Sequence, residues 1–120
     1  MTRVLIVDDS PTEAYKLRTL LEKNGYTVLG ADNGAEGVAK ARALRPDVVL
    51  MDVVMPGLNG FQATRQLTKD EETAHIPVII ITTKDQETDR VWGKRQGAKD
   101  YLTKPVDEQL LIDAIKKVLH

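Results

Sequence analysis

Three stretches of the chain, residues 4–7, 48–51 and 78–81, are apolar without alternation. Short β-branched runs of this kind read as strands buried on both faces, and such strands belong to parallel sheets covered by helices on each side. The segments between them read as helices. Ser10 as cap, Pro11 at the first helical position and Glu13 reaching back predict a helix start. Ala14, Leu17 and Leu21 then mark its inner face, and Asn24-Gly25 stops it. A weaker strand follows over 27–31. A second helix over 35–44, with Val38 and Ala41 inward, is ended by Pro46. The pattern predicts a third helix over about 60–69, then a polar surface loop carrying His75. It predicts a fourth helix over about 86–96, a short strand over 100–102 and a last helix over about 107–119. In the last helix Leu111, Ala114, Ile115 and Val118 share one face. Five strands alternating with five helices imply a doubly wound α/β fold in one domain spanning residues 1–120.

Chemistry enters where the apolar strands run out. Asp8-Asp9, Asp52 and Thr82 each follow a buried strand, and Lys104 follows the fifth in a Thr-Lys-Pro turn. In open α/β sheets the carboxyl ends of the strands share one edge, where ligands bind, so these residues are expected to converge. Three crowded carboxylates raise one another's pKa and call for positive charge. A hard divalent cation with oxygen ligands, magnesium above all, fits that demand and would leave a site able to accept a phosphoryl group. Three acids against one divalent ion and one lysine sum to zero.

Taken alone, each motif has a plain structural reading. A DD pair is commonly a turn or helix cap, Met55-Pro56-Gly57 a turn, Lys104 a solvated lysine and Trp92 packing. His75 and His120 are expected to be exposed and silent.

Together, DD after the first strand, D after the third, T after the fourth and KP after the fifth resemble the receiver domains of response regulators, and the resemblance spans the whole chain. It implies a flavodoxin-like (βα)5 fold with helices on both faces of a parallel sheet of order 2-1-3-4-5. That order comes from the resemblance, chemotaxis receivers being a stock example of it, and not from periodicity. The resemblance makes Asp52 the phosphoacceptor, with Asp9 and Asp52 binding magnesium directly, Asp8 mostly through water, and the Val54 carbonyl completing the set. Manganese can substitute. Thr82 would bond a phosphoryl oxygen, Lys104 would pair with it, and Tyr101 would follow inward. Thr83 is the rival hydroxyl, but position directly after Ile81 favours Thr82. A cis peptide bond before Pro105 is also implied. The stretches SPTEAYKLRTLLEKNGY, VMPGLNGFQATRQLTKD and TTKDQETDRVWGKRQGAKDYLTKPVDE are similar to the single-domain regulators of twitching-motility chemosensory systems. The expected partners are a chemotaxis-type histidine kinase or its phosphotransfer domain, and a downstream protein met through α4-β5-α5 of a monomer.

Composition narrows the alternatives. With 42% hydrophobic and 29% charged residues the chain is an ordinary globular protein. A formal net charge of -1 offers no basic surface for nucleic acid, and the absence of cysteine excludes thiol chemistry and disulfides. No apolar run approaches the roughly 20 residues of a membrane span, and the start MTRVLIVDD lacks signal-peptide architecture, so cytoplasm is expected. A magnesium-dependent phosphohydrolase with an aspartate nucleophile would place a second acid two residues after it, where Val54 stands. A pure docking receiver would not need all five polar residues, and a transcription factor would need a DNA-binding domain beyond Leu119. The fourth helix has few apolar residues beyond Val91 and Trp92 and contains Gly93, so it is expected to be weakly held and to rearrange with Tyr101.

Overall fold

The computed structural model describes residues 1–119, so the expectation for His120 lies outside the described residues. Strands β1 (Arg3–Val7), β2 (Thr27–Ala31), β3 (Val48–Met51), β4 (Val78–Thr82) and β5 (Asp100–Thr103) alternate with helices α1 (Pro11–Lys23), α2 (Gly34–Leu44), α3 (Gly60–Lys69), α4 (Glu87–Arg95) and α5 (Glu108–Val118). All strand pairs are parallel, in the order β2-β1-β3-β4-β5.

Alternate side chains of the central strands explain the two layers of helices. Val4, Ile6, Val48, Leu50, Ile79 and Ile81 face one way, against Leu17 and Leu21 of α1 and Leu111 and Ile115 of α5. Leu5, Val7, Val49, Met51 and Val78 face the other, against Val38 and Ala41 of α2 and Ala63 and Leu67 of α3. Every residue of β3 and β4 is buried, which is why their sequences show no alternation.

Local chemistry sets the helix ends, with one departure from expectation. Ser10 caps α1 by accepting from the Glu13 amide. The Glu13 carboxylate does not reach back; it lies 3.4 Å from Lys16 and 4.0 Å from Lys104. A full reciprocal cap occurs instead on α3, between Asn59 and Gln62. Arg45 takes the left-handed conformation that ends α2 before Pro46.

Helix α4 buries only Gly93, while Val91 and Trp92 are 43% and 51% exposed. Trp92 is therefore not packing. A Cβ on Gly93 would lie 2.9 Å from Ile80 and 3.0 Å from the Tyr101 ring, so α4 meets the sheet through bare backbone. His75 is exposed, as expected.

Candidate acidic metal and phosphoryl site

Asp8, Asp52 and Lys104 stand one step beyond the strand ends, yet their backbones stay tied to the sheet. The Asp8 amide donates to the Ala31 carbonyl at 3.1 Å, the Asp52 amide to Val7 at 2.9 Å and the Lys104 amide to Thr82 at 2.8 Å. The parallel register pairs Val7 with both Ala31 and Met51, so Asp8 and Asp52 emerge side by side at one rim. Gly60 closes the loop after Asp52: its amide donates to the Val53 carbonyl at 3.0 Å, and a Cβ there would sit 2.0 Å from the Asp52 carbonyl oxygen.

Carboxylate oxygens of Asp8, Asp9 and Asp52 all lie within 4.8 Å of one another, with Asp8 and Asp52 buried and Asp9 exposed. Three hard oxygen donors at this spacing, one open to solvent, suit a small hydrated divalent cation. Lys104 joins them from 96 residues away from Asp8, its side chain 9% exposed. Its ammonium is 2.8 Å from Asp8 Oδ2 and 3.8 Å from Asp52 Oδ2. Asp8 Oδ1 accepts from the Ser10 amide, so both its oxygens are engaged, whereas Asp9 projects freely.

Burial pushes the Asp52 carboxyl above its ordinary range, and the neighbouring Asp8 charge adds to this, while Lys104, the Val53 amide and the Thr82 hydroxyl pull the other way. Crowding by Asp8 acts in the expected direction, and desolvation at the rim of a fully buried strand outweighs it.

Thr82 is fully buried at the end of β4 and directed to Asp52, while Thr83 is exposed. The Val54 side chain is 58% exposed on the loop just past Asp52. Tyr101 is already inward, 3% exposed, its hydroxyl donating to the Lys84 carbonyl at 2.8 Å. Burial lifts its phenol to about 12. Arg90 of α4 covers the ring at 5.3 Å and donates to the Tyr101 carbonyl at 3.2 Å. The Lys104-Pro105 peptide is cis. Sequence reasoning missed Glu13 beside Lys104 and Arg90 on Tyr101. Both are contacts across the fold, and no local spacing signals them.

A five-stranded doubly wound sheet with an acid triad and a lysine at one rim defines a phosphoryl-receiving switch domain. A family model, the response regulator receiver domain, matches residues 4–116, and the chain belongs to that family. It is 74% identical over 119 residues to protein PilH of Pseudomonas aeruginosa, covering 99% of this chain and 98% of that protein. It is 40% identical to the response regulator PleD of Caulobacter vibrioides over 97% of its own length but only 26% of PleD. Among solved structures, the chemotaxis protein CheY4 of Vibrio cholerae superposes with a TM-score of 0.91 at 33% identity, covering 99% of both chains. A response regulator of Chloroflexus aurantiacus superposes at 0.94 with 31% identity, covering 98% of this chain and 97% of that one.

Proposed function

We propose that Asp52 is the phosphoacceptor of a single-domain response regulator whose donor is a phosphohistidine on a chemotaxis-type kinase or its phosphotransfer domain. The convergence of Asp8, Asp9, Asp52 and Lys104 at one rim carries this reading. An Asp52 carboxylate oxygen attacks phosphorus, the phosphorus–nitrogen bond breaks, and its electron pair returns to the imidazole of the donor. Asp9 and Asp52, with Asp8 and the Val54 carbonyl, would hold magnesium or manganese, which supplies charge neutralisation for the phosphoryl oxygens. Lys104 offers a second positive charge and leaves Asp8 to meet the phosphoryl group, while the buried Thr82 hydroxyl donates to it. Hydrolysis by water then restores the Asp52 carboxylate and releases inorganic phosphate, which resets the switch without turnover of a separate substrate.

The 74% identity to PilH over nearly the full length supports a place in a twitching-motility chemosensory system. On this reading the chain is a cytoplasmic monomer that meets its downstream protein through α4, β5 and α5, and residues 1–120 act as one receiver domain.

Incubation with a phosphorylated kinase and magnesium is expected to give acid-labile labelling at Asp52 that hydroxylamine removes. Labelling that survives in a folded Asp52→Asn variant contradicts the assignment. Complementation of a twitching-defective strain that lacks its own homologue tests the cellular role, and failure of a well-expressed chain there argues against it.

A further inference from the structure

The cations of this molecule are not treated alike. Those of α1 and α2 are held by acids: Lys16, Arg18 and Lys23 at 3.4, 3.6 and 3.3 Å, Lys40 and Arg42 at 3.7 and 2.6 Å. Among the described residues, Arg65 and Lys69 of α3 and Lys94 and Arg95 of α4 stand in no ion pair, and all four are exposed. Helix α3 contains no acidic residue at all, and the acids of α4 are confined to its first turn.

The two helices that carry these cations also carry the largest exposed aromatic side chain, Trp92 of α4. Gly93 points α4 at the sheet, and at 100° per residue Arg90 and Trp92 fall on opposite flanks of it. Arg90 is committed to the β5 flank through the Tyr101 carbonyl, so Trp92 belongs to the α3 flank. There α3 and α4 are locked together, since Thr68 donates to the Gln96 carbonyl at 2.7 Å and a Cβ on Gly97 would strike Thr68 at 2.5 Å. Arg65 and Lys69 lie one turn apart on the outer side of α3, and Arg95 lies one turn beyond Trp92. Tryptophan and arginine together, half-exposed and unpaired, are the residue types that anchor protein interfaces.

We infer that the α3–α4 face, centred on Trp92 and rimmed by Arg65, Lys69 and Arg95, is a docking surface for an acidic protein segment carrying an apolar anchor. Charge complementarity selects the occupant: a face with three unpaired cations on a chain of net charge -1 attracts acid, and Trp92 offers an apolar seat. This surface is separate from the α4-β5-α5 face, where Arg90 donates to the Tyr101 carbonyl.

The full chain is tested by selecting binders from random twelve-residue peptides, without bias toward any sequence. The enriched peptides should be acidic with a hydrophobic or aromatic residue, and their affinity should fall roughly tenfold in Trp92→Ala and in the Arg65→Glu/Arg95→Glu pair. Lys116→Glu, an exposed charge reversal on α5, should leave affinity unchanged. No enrichment, peptides without acids, or equal binding by Trp92→Ala and the charge-reversed pair would overturn the inference. So would Trp92-dependent binding to phosphatidylglycerol vesicles without peptide binding, which would make this a lipid surface.

Discussion

Asp52 sits in a place that opposes its own charge. Because burial raises its pKa, the folded chain keeps the Asp52 proton at pH values where the unfolded chain, titrating near 3.8, has already released it. Stability therefore falls as pH rises through that interval, and above it the cost of the buried anion is present in full. Asp52→Asn removes the charge and keeps the shape, so in chelator at pH 7 it should melt a few degrees above the wild type. That margin should shrink as the pH is lowered through 3.8, and a margin that grows on acidification contradicts the argument. Lys104→Ala has the opposite sign. It strips Asp8, whose side chain is 2% exposed, of its 2.8 Å partner, and leaving a buried charge uncompensated costs about 3 kcal/mol. Urea denaturation in chelator reads that cost, which added magnesium should reduce. Thr64 on α3 is fully buried with its hydroxyl unpaired, so Thr64→Val is expected to stabilise by about 1 kcal/mol in the same assay.

At the scale of elements, the helices differ in how they are fastened. Helix α3 is pinned where Gly60 passes the Asp52 carbonyl. Gly60→Ala must push the helix away from the site and should cost toward the upper end of about 1–3 kcal/mol by thermal denaturation. Helix α4 has no apolar side chain in the core and is held by the Gly93 contact and by Arg90 and Tyr101. Its amides should exchange well before those of β1, β3 and β4, and protection equal to theirs would refute the picture of a weakly held helix. The lack of buried apolar side chains was legible in the sequence, because α4 visibly lacks an apolar stripe. The buried strands and the last helix were legible for the complementary reason, each carrying enough apolar residues to declare its period. The reciprocal cap of α3 is encoded in the spacing of Asn59 and Gln62, while Glu13 has the spacing of a capping acid and serves two lysines instead. A cap is a local choice that a distant cation can redirect, and no local rule contains Lys104.

For the whole molecule, the decisive fact is that the site has no single owner. Asp8 and Asp9 come from the end of β1, Asp52 from β3, Thr82 from β4 and Lys104 from β5, so the acid cluster exists only when the strands are in register. Strand order carries no trace in periodicity, which is why convergence could be expected from the rule for sheet edges while the order itself came by resemblance. A group that binds only the assembled rim stabilises the entire fold by mass action, as RT ln(1 + [L]/Kd). Magnesium at about ten times its dissociation constant should add about 1.4 kcal/mol by that relation, visible as a rise in melting temperature that chelator reverses. Because the donors span the sheet, the gain should appear in the slowest-exchanging amides of β1 and β3 together with those of the loops. An Asp9→Asn/Asp52→Asn pair should lose it, although neither change touches the core. A melting temperature indifferent to magnesium at millimolar concentration, or a shift that persists in the double variant, would mean that the three acids do not act as one cation site.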